Sequence, residues 1–129
     1  MCVNATIEPM VQIFGTAKSP GTMKALRFFK ERGIEPQFVD LQRRAMAPGE
    51  IARFVQKFGL SALIDTGSKT YERAGLAYLR LSGEAMIQRL LDDPQLMAQP
   101  LLRLGATLTI GWDEAVWRDW YEQHKRRVG

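Results

Sequence analysis

The sequence predicts one α/β domain with its elements in the order β-α-β, a helical insertion, then β-β-α. Three observations carry this. Met10-Val11-Gln12-Ile13-Phe14 and Pro36-Gln37-Phe38-Val39-Asp40-Leu41 are short, apolar and partly β-branched runs, with a stretch of helical spacing between them. Pro100-Leu101-Leu102-Arg103-Leu104 and Thr107-Leu108-Thr109-Ile110 flank Gly105-Ala106, the pattern of a β-hairpin with a two-residue turn. Between these halves the punctuation and the apolar spacing are those of several short helices.

Each element has a local reason. The first strand ends at Gly15. Ser19 or Thr22 can cap the helix that follows, and Pro20 suits its first position. Met23, Leu26, Phe29 and Lys30 follow helical spacing with Phe28 beside them, and Gly33 closes the helix as a C′ glycine. Strand, helix and strand then form a βαβ unit, which makes the two strands parallel with a right-handed crossover. Pro48-Gly49-Glu50 opens a helix through Phe58, with Ile51, Phe54, Val55 and Phe58 on one face, and Gly59 stops it. Leu60 to Ile64 is a further helical turn, Asp65 to Lys69 a loop, and Thr70 to Ala77 a short helix. Ser82 caps another helix that ends near Pro94 and buries Met86, Ile87, Leu90 and Leu91. Asp113 caps the last helix, to about Lys125, whose stripe is Val116, Trp117, Trp120 and Tyr121. The domain is expected over residues 10–125, with the insertion at about 47–95 and tails at 1–9 and 126–129.

Composition narrows the function classes. A chain of 129 residues supports one core rather than two. Eighteen basic against fourteen acidic residues is a mild excess that permits anionic partners without implying nucleic acid. The short basic clusters, Arg27/Lys30/Arg32, Arg43-Arg44 and Lys125-Arg126-Arg127, read as solvated faces and a basic tail, and direct nucleic-acid binding is not expected. The single cysteine, Cys2, cannot form an internal disulfide, and with the single histidine, His124, it cannot complete a structural zinc site, so no metal is expected. The opening MCVNATIEPM lacks the basic and apolar regions of a signal peptide, and no apolar run is long enough for a membrane span. A soluble, cytoplasmic protein is the expectation.

The stretch with chemistry to explain is GTAKSPGT, residues 15–22. It is not a Walker loop, because five residues separate Gly15 from Gly21 and Thr22-Met23 follows where Lys-Ser/Thr belongs. A helix N-terminus still offers free N–H groups and partial positive charge, to which Lys18, Ser19 and Thr22 can add, so a small anion or ligand is one reading and a plain helix start the other. The loop holds no thiol. A serine hydroxyl stays protonated at neutral pH without an adjacent base, and nothing in the sequence brings His124 to it. Cys2 belongs to the N-terminal tail and reads as an incidental thiol. The aromatic stripe Trp112, Trp117, Trp120 and Tyr121 reads as core packing.

The element order is also the thioredoxin-like order, a mixed four-stranded sheet flanked by helices, and four segments resemble the arsenate-reductase-like family, which includes the Spx-type regulators. These are IFG at 13–15 with KALRFFKERGIEPQFVDL after the loop, KTYERAGL at 69–76, DPQLMAQPLL at 93–102 and GWDEAVW at 111–117. The resemblance implies a cis Gln99–Pro100 bond facing the loop. It implies that Ser19 stands where the family has its nucleophilic cysteine and Thr22 where CxxC members have the second one. Of the arginines that grip the family's oxyanion, one has become Gln99, another falls at Ile110 or Gly111, and the one in the insertion has no match in LSALIDTG. No catalytic residue is therefore expected. The candidate ligand or anion site is Lys18, Ser19, Gly21, Thr22, Gln99 and Pro100.

Three functions follow from the resemblance. One is a non-redox binding or regulatory protein with a protein partner, RNA polymerase by analogy with the Spx-type relatives. Another is a glutathione-dependent reductase or transferase in which Ser19 or Thr22 orients an external thiol; no cofactor other than glutathione is expected. The third is an accessory protein of a metabolic operon such as nitrogen fixation.

Overall fold

A computed structural model describes residues 10–75 and 80–128. The elements are β1 (Gln12–Gly15), α1 (Pro20–Glu31), β2 (Gln37–Asp40), α2 (Pro48–Phe58), α3 (Lys69–Ala74), α4 (Gly83–Asp92), β3 (Leu101–Leu104), β4 (Thr107–Ile110) and α5 (Glu114–Val128), with 3-10 turns at Leu60–Leu63 and Pro94–Leu96. The four strands form one mixed sheet in the order β2-β1-β3-β4. β1 runs parallel to β2, with Ile13 beside Phe38, and β3 is antiparallel to both β1 and β4. The α/β architecture with its helical insertion is as the sequence predicts.

Alternation along the strands sends successive side chains to opposite faces, and the sheet accordingly separates two clusters. Phe14, Val39, Leu101 and Leu108 meet Ile51 and Phe54 of α2, Leu63, Leu90 of α4, Leu96 and Met97 on one face. Ile13 and Leu102 meet Ala25, Leu26, Phe28 and Phe29 of α1 and Trp117 and Trp120 of α5 on the other. The insertion thus furnishes one layer, and α1 with α5 the other.

Several boundaries and faces differ from the sequence reading, each for a local reason. β1 starts at Gln12, and Met10 is exposed, because the ladder with β2 begins at the Gln12–Gln37 pair. Ile64 leaves the helical turn for an extended conformation and bridges Met97, while the Ala98 amide donates to the Leu63 carbonyl at 2.8 Å. α3 is shorter than Thr70–Ala77, since Gly75 takes a left-handed φ of 65° at its end; Ala77 lies outside the described residues. On α1 the buried stripe starts at Thr22 and Ala25, and Met23 is exposed. Phe58 is exposed where α2 ends, stacked on the buried Phe54. The last helix continues past Lys125 to Val128, so the basic residues there extend α5. Trp112 is the exception in the aromatic stripe: it is 51% exposed, edge-on to Phe28 and Trp117.

Candidate functional site

Local geometry builds the loop between β1 and α1. The Ser19 amide donates to the Thr16 carbonyl at 3.1 Å, closing a turn. Ser19 then takes an extended conformation, and its side chain accepts the Thr22 amide at 3.2 Å as the N-cap of α1, with Pro20 in the first turn. The cap satisfies one of the free amides at a helix start. Thr22 points the other way. It is wholly buried against β1, where Gly15 leaves it room: a Cβ on Gly15 would stand 2.7 Å from Thr22 Cγ2.

The opposite wall comes from the segment before β3. The Gln99–Pro100 peptide is cis, as the resemblance implies. It lies close to α1, since a Cβ on Gly21 would meet the Gln99 carbonyl oxygen at 3.3 Å and Pro100 Cδ at 3.4 Å. The Gln99 side chain reaches across to the loop. Its Oε1 accepts from the Thr16 amide at 2.9 Å, from Thr22 Oγ1 at 3.3 Å and from Thr16 Oγ1 at 3.4 Å. Its Nε2 donates to the Pro94 carbonyl at 2.8 Å. One side chain therefore ties the loop, the start of α1 and the 3-10 turn before β3 together.

These walls enclose an open cleft of about 330 Å³, with Thr16, Lys18, Ser19 and Pro20 on one side and Asp65, Gln95, Met97 and Gln99 on the other. Of the six residues the sequence singled out, Lys18, Ser19 and Gln99 line it. Gly21, Thr22 and Pro100 lie behind it, as the close approach and the buried tie beneath the loop. Thr22 has given its hydroxyl to Gln99, which leaves Ser19 as the hydroxyl that faces the cleft. Thr16, Asp65, Gln95 and Met97 were not foreseen. Asp65 and Met97 arrive through the Ile64–Met97 bridge and the bond from the Asp65 amide to the Leu96 carbonyl, a pairing that no local pattern announces. Lys18 and Asp65 are the two charged residues of the lining, and neither makes an ion pair among the described residues.

The lining offers hydrogen bonds and two opposite charges. No imidazole lines the cleft, and His124 is carried by α5. Cys2 lies outside the described residues. Among the described residues there is no group of three metal-ligating side chains and no helix long and apolar enough to cross a membrane. The basic clusters are largely solvated. Arg32 lies over the Phe28 ring at 3.7 Å, and Arg43 and Lys125 pair with Asp40 and Glu122 on the surface, where such pairs contribute little.

Comparison with known proteins agrees with this geometry. An uncharacterised protein of Escherichia coli strain K12, YfgD, is 26% identical over 104 residues, spanning 78% of this chain and 87% of its own. Among solved structures, the YffB protein superposes with a TM-score of 0.73 at 16% identity, covering 85% of this chain and 97% of that one. An arsenate reductase from Vibrio cholerae superposes with a TM-score of 0.69 at 20% identity, covering 80% and 90%. The arsenate-reductase-like, thioredoxin-like fold implied by the sequence is thereby established. The model of the ArsC family matches residues 14–120, from the last residues of β1 to the second turn of α5, and the chain belongs to that family.

Proposed function

We propose that this chain is a non-redox binding or regulatory member of the ArsC family, with Ser19 at the position of the family's cysteine. The observation that carries the reading is the state of the Ser19 side chain: its oxygen is engaged as the N-cap of α1, in a cleft whose lining holds neither a thiol nor an imidazole. Thiol chemistry requires a thiolate, and an alcohol without a general base does not supply its equivalent. What remains is a cleft with a cation, a carboxylate and several amide and hydroxyl groups, suited to holding a ligand or a segment of a partner protein. By analogy with the Spx-type regulators the partner would be RNA polymerase, and the protein would act in the cytoplasm. The test is reduction of arsenate and of a model disulfide by the purified protein, with glutathione and glutaredoxin supplied and Cys2 replaced by serine. No turnover above background is expected. Turnover at the rate of a cysteine-bearing relative would overturn the reading.

A second reading has one observation of its own. Because the Ser19 oxygen accepts from the Thr22 amide, its proton is free to be donated into the cleft. That donor could hold the thiolate of bound glutathione, the arrangement a glutathione-dependent transferase needs. Calorimetry with millimolar glutathione decides it: saturable binding that Ser19→Ala weakens supports the transferase reading, and no heat of binding removes it.

A further inference from the structure

Thr16 and Thr22 are two of the three buried polar side chains in the described structure, at 1% and 0% exposure. The third, Thr109, accepts the indole of Trp117. The other two do something different: both hydroxyls and the Thr16 amide aim at one point, and that point is filled by Gln99 Oε1. A carboxamide oxygen has two lone pairs, so three donors are more than it can pair with well. Convergent donors of this number suit an oxygen that carries negative charge. The seat is buried, with Thr16 and Gln99 also lining the cleft and Thr22 behind it, and it adjoins the N-terminus of a twelve-residue helix. The chain has supplied its own neutral occupant.

We infer that Gln99 is the specificity-determining residue of the cleft: its carboxamide oxygen holds the seat formed by Thr16 and Thr22, and so keeps small oxyanions out of it. The second anchor, from Nε2 to the Pro94 carbonyl, holds the carboxamide in this orientation, with the oxygen inward and the nitrogen outward. Ligands of the cleft then bind at its rim, through Lys18, Ser19 and Asp65, without reaching the inner donors. This deepens the non-redox reading and rests on it for the rim alone; the filled seat is a property of the loop itself.

The experiment removes the occupant and offers a replacement. The wild type, Gln99→Ala and Gln99→Ala/Thr22→Val are titrated with inorganic phosphate, formate and formamide, at ionic strength matched with chloride. Binding is read from the Thr16 amide resonance and from the thermal midpoint. In the wild type the Thr16 resonance stays unmoved by phosphate. In Gln99→Ala phosphate or formate shifts it and raises the midpoint, with affinity at least about tenfold above the wild type, a difference of about 1.4 kcal/mol, and a response to formamide alone would overturn the exclusion of oxyanions. Loss of one donor in the double variant weakens that response. Should Gln99→Ala fail to fold, Gln99→Asn keeps an amide while withdrawing it by one methylene, and the same shift is expected. Phosphate moving the wild-type Thr16 resonance as strongly as the variant's would overturn the inference, and so would a folded variant that answers none of the three probes. Neither outcome depends on arsenate reduction, so the inference and the proposed function fail separately.

Discussion

Gly15 and Thr22 are packed backbone to side chain, so that β1 ends against the first turn of α1 with no space for a methyl group between them. A Cβ on Gly15 would stand 2.7 Å from Thr22 Cγ2 and 3.0 Å from Thr22 Cβ. Thr22 cannot retreat, since it is buried and bonded to Gln99. Gly15→Ala is therefore expected to destabilise the domain by about 1–3 kcal/mol through overpacking. Urea unfolding checks this as a lower midpoint at unchanged slope. A variant as stable as the wild type would mean that the loop has slack the structure does not show.

Ser19→Cys, made with Cys2→Ser, puts a thiol at the start of α1. The free amides and the helix dipole favour its anion, so its pKa should fall below the ordinary value of about 8.5. The pH dependence of iodoacetamide alkylation measures this. Arsenate reduction should still be absent, because Gln99 fills the donor seat beside the new sulfur. Efficient turnover by this variant would show that the oxyanion finds another seat.

Thr109→Val should cost about 1–3 kcal/mol by leaving the buried Trp117 indole N–H without its acceptor. Thr109→Ser keeps the oxygen and should recover most of the loss. Equal stability of the valine and serine variants, by thermal or urea unfolding, would mean that the 3.0 Å bond carries no weight.

Leu63 is fully buried, and its carbonyl accepts the Ala98 amide one residue before Gln99. Leu63→Ala should cost about 2–5 kcal/mol by leaving a cavity. It should also speed hydrogen exchange of the Ala98 amide relative to amides of α5, since the wall of the cleft hangs on this pairing. Uniformly faster exchange across the sheet would instead indicate global destabilisation.

The parts legible in the sequence are those with local causes. The serines at 19 and 82 cap helices as their hydroxyl spacing suggests, and the positive φ of Gly33 and Gly105 marks a helix end and the hairpin turn, whereas the cap at Ser68 and the stop at Gly75 bound a helix that the sequence places at Thr70 to Ala77. Two apolar runs around a helix gave the parallel pair, and Gly105-Ala106 gave the antiparallel one. The site was half legible. Ser19 and Lys18 follow from the turn, and Gln99 from the resemblance to the family's segment before its third strand. What joins them is a contact between residues 83 positions apart, and no window of sequence contains it. Thr22, which the sequence offers as a cap or a ligand-site residue, lies behind the cleft for a related reason: its hydroxyl has a distant partner in Gln99. Asp65 and Met97 enter the cleft through one isolated bridge, too short to have a pattern.

The sheet faces two different clienteles. One side is clothed by helices drawn from residues 48–97, the other by α1 and α5, and the strands alone belong to both. Divergence among relatives can consequently refashion the first side, including Asp65, Gln95 and Met97 of the cleft, while the second keeps α1 in position under the loop. The cleft is thus shared between stretches: Asp65, Gln95 and Met97 come from the insertion, Thr16, Lys18 and Ser19 from the loop before α1, and Gln99 from the segment that leads into β3.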